Sequence, residues 1–169
     1  MTRKSLIVTG ASTGIGAATA RLAAREGYDV AIGYRSNHGA ASEVARDVEG
    51  AGGRAVLIQA DFTEAGVDDQ LIEALGGRPD LVLSDMAHNT IGHRQTDHLK
   101  IIALIEIAAD FAIRTLKPGG AFVTKNFQGG DAGGVLAQLR AEFEDVKFVK
   151  PGASRKDSSE VYLVATGKR

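Results

Sequence analysis

Short apolar runs alternate along this chain with longer stretches in which apolar residues return every three or four positions. The short runs predict strands at about 5–9, 29–33, 55–59, 80–84, 120–125, 146–150 and 160–166. The longer stretches predict helices at about 14–27, 38–51, 64–76, 97–116 and 133–144. The fourth helix is the clearest, with Leu99, Ile102, Ile105, Ala109, Ile113 and Leu116 on one stripe. Thr96 or Asp97 can cap its start, and Lys117-Pro118-Gly119-Gly120 ends it and turns the chain into the next strand. Strict strand–helix alternation implies parallel strands joined by right-handed crossovers, with helices on both faces of the sheet. The last two strands break the rule. Only the polar segment Pro151 to Ser159 joins them, which favours antiparallel pairing at the sheet's end. The expected fold is a single α/β domain over residues 1–169, a doubly wound and mostly parallel seven-stranded sheet with an antiparallel last strand.

Composition narrows the function classes. A chain of 169 residues, 44% of them hydrophobic, is long enough to bury one substantial core. No apolar run approaches the roughly 20 residues a membrane helix needs, and no signal peptide precedes the first strand, so a cytoplasmic protein is expected. There are no cysteines, hence no disulfide framework and no thiolate metal site. A net charge of −1 argues against a generally basic nucleic-acid binder. The C-terminal segment differs: Lys147, Lys150, Arg155, Lys156, Lys168 and Arg169 stand against Asp157 and Glu160. That stretch is either a solvated surface or a local RNA contact. His88, His93 and His98 recur every five residues, a step that matches neither helix nor strand, so no metal is expected.

Chemistry concentrates where strands end. Thr9 to Gly16 reads TGASTGIG directly after the first strand. Gly10, Gly14 and Gly16 would let the backbone approach a pyrophosphate, with Ser12 adding a hydroxyl, Ile15 beside them, and the next helix presenting its unpaired N–H groups. The second strand ends in Tyr34-Arg35-Ser36 without a carboxylate, and Arg35 with Ser36 suits a 2′-phosphate, so NADP is expected over NAD. Asp61, closing the third strand, can accept a hydrogen bond from an adenine amino group. Residues 1 to about 62 resemble the short-chain dehydrogenase/reductase family. That resemblance implies a catalytic tyrosine with a lysine four residues on, and here Tyr28, Tyr34 and Tyr162 are followed at that distance by Ile32, His38 and Thr166. Without that pair, hydride transfer loses its acid–base partner.

From about Leu71 the strings change to LVLSDMAHNTIGHRQTDH, LKPGGAFVTKNFQGG and SSEVYLVATG, which resemble the FtsJ-like ribosomal RNA 2′-O-methyltransferases. The resemblance implies S-adenosylmethionine as methyl donor and a Lys-Asp-Lys-Glu tetrad, whose last three members fall on Asp85, Lys125 and Glu160. The first lysine belongs upstream of the first strand, where only Met1 to Lys4 stand, and Lys4 matches it in name alone. Lys125 is either a base or an orienting charge, and flanking carboxylates would push its pKa up.

Two resemblances with a join near 62–70 suggest a chimera of engineered appearance, each half short of its own chemistry. Three functions stay open. The first is a monomeric Rossmann-like scaffold without efficient catalysis that retains NADP or other nucleotide binding. The second is an S-adenosylmethionine-dependent ribosomal RNA 2′-O-methyltransferase keeping three of four catalytic residues. The third is an NADP-dependent oxidoreductase.

Overall fold

A computed structural model describes residues 3–60, 66–86, 94–127, 133–154 and 158–169. Among the described residues there are seven strands and five helices, which alternate as far as the sixth strand, and the seventh follows without a helix. They are β1 (Lys4–Thr9), α1 (Gly14–Arg25), β2 (Tyr28–Tyr34), α2 (His38–Gly50), β3 (Ala55–Gln59) and α3 (Val67–Leu75), then β4 (Leu81–Ser84), α4 (Arg94–Thr115), β5 (Ala121–Phe127), α5 (Gly133–Glu142), β6 (Phe143–Val149) and β7 (Glu160–Lys168). They form one sheet in the order β3-β2-β1-β4-β5-β7-β6. The pairs through β5 are parallel, whereas β7 runs antiparallel to both β5 and β6, as the helix-free connection after β6 requires.

Register explains the two cores. Ile32, Val8, Leu83, Val123 and Val164 form one row across the sheet, and Ala31, Ile7, Val82, Phe122 and Ala165 form a row on the opposite face. The first face packs under α1 and α2 with Leu6, Val8, Val30, Ile32, Val44 and Val48. The second packs under α3, α4 and α5 with Leu71, Phe111, Phe122, Leu139, Phe143 and Leu163. Right-handed crossovers dictate this split: the chain winds outward from β1 to β3 on one side and returns through β4 to β6 on the other. Val123 and Val164, at the β5–β7 end of the first face, are only partly buried and belong to neither core.

Several boundaries differ from the sequence reading by one to three residues, and two of them have a local cause. Helix α4 starts at Arg94, about one turn before Thr96 and Asp97, because Arg94 and Gln95 contain nothing that breaks a helix. Strand β6 starts at Phe143, within the expected fifth helix, because the buried Phe143 pairs with Lys168 of β7 and that burial overrides local preference.

Candidate functional site

The carboxyl ends of β1, β4 and β5 meet the amino end of the antiparallel β7, and the register decides which side chains meet there. Ser84 is paired with Thr124, which sets Asp85 level with Lys125 one residue on. Lys125 in turn is paired with Tyr162, and Glu160 lies two residues before Tyr162 on the same face of β7. The result is an ion pair between Lys125 Nζ and Asp85 Oδ1 at 2.8 Å, both side chains only 10–11% exposed, with Glu160 Oε1 at 4.0 Å. Glu160 sits at the rim, 42% exposed. Beneath this cluster the Thr9 hydroxyl donates to Ser84 Oγ at 3.2 Å, and the Asp85 N–H donates to the Thr9 carbonyl. These bonds tie β4 to the end of β1.

The electrostatics settle the protonation of Lys125. Burial alone would lower its pKa, but the hydrogen bond and charge of Asp85, helped by Glu160, outweigh it and hold the pKa above 10.5. Lys125 is therefore an ammonium at neutral pH, as the flanking carboxylates led the sequence reading to expect. Asp85 Oδ1 is buried without a hydrogen bond of good angle, and the ammonium is the charge that compensates it. Burial first, and then the Asp85 charge, push the Tyr162 phenol up, so Tyr162 keeps its proton and can donate.

The glycine-rich turn adopts the close approach its sequence predicts. Gly10 has φ +71°, and a Cβ there would lie 3.3 Å from the Asp85 carbonyl oxygen. A Cβ on Gly16 would lie 2.6 Å from the Gly10 carbonyl oxygen, so α1 can sit this near β1 only with glycine at that place. The Ala11 N–H donates to the Gly33 carbonyl at 3.0 Å and fixes the turn against β2. Ser12 is half-buried in the turn, and Thr13 places no side-chain cap on α1. Arg35 and Ser36 are exposed beyond β2, and the Arg35 carbonyl accepts from Gln59 Nε2 at 3.1 Å. Asp61, His88 and His93 lie outside the described residues.

Of the expected site residues, the structure brings Asp85, Lys125 and Glu160 together and leaves Arg35 and Ser36 at the β2 end. Ile15, grouped with the cofactor residues from the sequence, has its side chain on a cleft of about 570 Å³ that Pro151, Ser154, Ser158, Glu160 and Tyr162 also line. Tyr162 was missed as a site residue. Its place two residues after Glu160 on an alternating strand was the available signal.

The comparisons with known proteins bear on this arrangement. The profile of the FtsJ-like methyltransferases matches residues 9–168. The chain belongs to the FtsJ-like methyltransferase family. That match runs through the 62–70 segment where a join was expected and marks no boundary there. Ribosomal RNA large subunit methyltransferase E of Caulobacter vibrioides is 61% identical over 111 residues, covering 66% of this chain and 49% of that protein. The chain thus spans about half the length of the curated relatives it matches. Among solved structures, one described as a ribosomal RNA methyltransferase from Plasmodium falciparum aligns over 99% of this chain and 88% of its own, with TM-score 0.72 and 20% identity. A dehydrogenase from Burkholderia cenocepacia with bound NADP aligns over 70% of this chain and 50% of its own, with TM-score 0.56 and 25% identity. Family membership favours the methyltransferase reading over the inert scaffold. No helix among the described residues is long and apolar enough to cross a membrane.

Proposed function

We propose that this chain is an S-adenosylmethionine-dependent methyltransferase acting on a ribose 2′-hydroxyl of ribosomal RNA. The observation that carries this reading is the buried Lys125–Asp85 pair with Glu160 at its rim, set at the carboxyl ends of adjacent strands in an FtsJ-like fold. When bound, S-adenosylmethionine supplies a methyl group carried on a sulfonium. The glycine turn fits an adenosine cofactor, because its backbone is bare of side chains where it approaches Asp85 and the start of α1. Gly10, Ser12, Gly14, Gly16 and Asp61 would hold that cofactor.

The acceptor hydroxyl is a weak nucleophile, so alignment matters more than binding alone. Lys125 points a fixed positive charge at the acceptor oxygen, and Asp85 holds the lysine in place. Glu160, at the rim and more exposed, is the carboxylate best placed to receive the hydroxyl proton. Methyl transfer to ribosomal RNA, followed with labelled donor, tests the reading directly; no incorporation above background would dismiss it.

The raised pKa of Lys125 sets the expected pH profile. Because the folded value lies above the free one, Lys125 keeps its charge, and with it its share of the pair, below about 10.5 and loses it only as pH rises through the higher folded value. The rate should therefore show no rising limb owed to Lys125 between about pH 6 and 10. A neutral lysine base would instead give about one log unit of rate per pH unit across that range, and such a slope would reverse the assignment.

A second reading, residual NADP binding, has one specific observation behind it. The exposed Arg35 follows β2 where no carboxylate stands, and a structural neighbour at 25% identity holds NADP. If Arg35 meets a 2′-phosphate, Arg35→Ala should weaken NADP about tenfold or more and leave S-adenosylmethionine binding unchanged in calorimetric titration. Failure of wild type to bind NADP at all would remove this reading.

A further inference from the structure

Among the described residues four large apolar side chains are exposed: Ile15, Leu22, Phe148 and Val149. Ile15, 47% exposed on the first turn of α1, is the one of these that lines the cleft beside Glu160 and Tyr162. The cleft runs from Ile15, at the α1 end of the glycine turn, across to Glu160 and Tyr162 of β7, whereas Gly10 at the other end of that turn meets Asp85 on the β1 side. Its walls are mixed in a particular way. Ile15, Pro151 and the ring of Tyr162 are apolar or aromatic, while Ser154, Ser158 and Glu160 supply hydroxyls and a carboxylate. Flat surfaces with hydrogen-bonding groups at their edges suit a flat heteroaromatic ring that carries N–H donors and carbonyl acceptors, as a nucleobase does. A volume of about 570 Å³ exceeds the space of a single base and leaves room for its sugar.

We propose that Ile15 is a specificity-determining residue of the acceptor side, forming with Tyr162 a slot that grips the base of the nucleotide whose ribose is presented to Lys125. The proposal rests on the methyl-transfer reading for its purpose, but the slot itself is a binding claim and can be tested alone. Ile15 supplies apolar area over one face of the base, and Tyr162 supplies a ring and a protonated hydroxyl. The side chain also stands between the start of α1 and β7, so its bulk sets how wide a ring can enter.

The test uses the full chain and fluorescein-labelled single-stranded oligoribonucleotides, read by fluorescence anisotropy, with calorimetric titration of S-adenosylmethionine alongside. Ile15→Ala keeps a good helix former in α1, and should weaken oligoribonucleotide binding about fivefold. In turnover it should raise KM for RNA with little change in kcat, and it should leave S-adenosylmethionine affinity unchanged. Tyr162→Ala should weaken RNA binding about tenfold, while Tyr162→Phe, which keeps the ring, should stay within about twofold of wild type. Unchanged or tighter RNA binding in Ile15→Ala overturns the proposal, as does a loss confined to S-adenosylmethionine. Should wild type bind RNA through Ile15 yet transfer no methyl group, the slot stands and the methyltransferase reading falls.

Discussion

Lys125→Ala should reduce methyl transfer at least about a hundredfold, with the affinity for S-adenosylmethionine little changed. Lys125 Nζ is the charge 2.8 Å from Asp85 Oδ1, and Glu160 is too far and too exposed to replace it with anything but a second negative charge. The substitution has a second consequence that must be separated from the first. It leaves the Asp85 carboxylate buried without its compensating charge, which for a buried pair costs about 3 kcal/mol of stability. The double variant Asp85→Asn/Lys125→Met removes both charges while keeping the volume, and should fold with near-wild-type stability. If that variant is folded and still transfers no methyl group, the loss belongs to chemistry and not to unfolding. Substantial turnover by it would remove Lys125 from the reaction.

Much of this arrangement was legible in the sequence because burial and strand ends leave local marks. The apolar runs gave all seven strands, since each central strand is covered and carries little polar sequence. Asp85, Lys125 and Glu160 could be singled out through the resemblance of their surrounding strings to the FtsJ-like family, and Asp85 and Lys125 stand near the carboxyl ends of adjacent strands, where open α/β sheets build their sites. What escaped depended on distance between segments. The uneven placement of two helices on one face and three on the other follows from strand order, which periodicity does not specify. Tyr162 was weighed only against a lysine four residues on, a helical question, whereas its partner Lys125 comes from a different strand through antiparallel register. Ile15 read as part of a phosphate-binding turn, and its meeting with β7 depends on the path of the chain after β6.

Gly16→Val should lower stability by about 3 kcal/mol and weaken nucleotide binding at least about tenfold. The reason is local and geometric. A Cβ at Gly16 would lie 2.6 Å from the Gly10 carbonyl oxygen and 3.1 Å from the Ala11 Cα, and both obstacles are backbone atoms that cannot rotate aside. Relief requires α1 to move away from β1, which opens the core of Val8, Ala17, Ala20 and Ile32 beneath it. The same movement carries the first turn of α1 away from any bound phosphate or ribose, and shifts of about 1 Å are enough to spoil such contacts. Gly14→Ala is the matched control. Gly14 has φ +60° with no atom within 4 Å of its would-be Cβ, so alanine there meets only the backbone penalty of about 1 kcal/mol. Thermal unfolding should separate the two, with a drop of roughly 5–10 °C in Tm for Gly16→Val and a smaller one for Gly14→Ala. Equal drops would show that the turn is limited by its glycine dihedrals. Wild-type stability and affinity in Gly16→Val would show that α1 does not need its close seat on β1 to hold the cofactor.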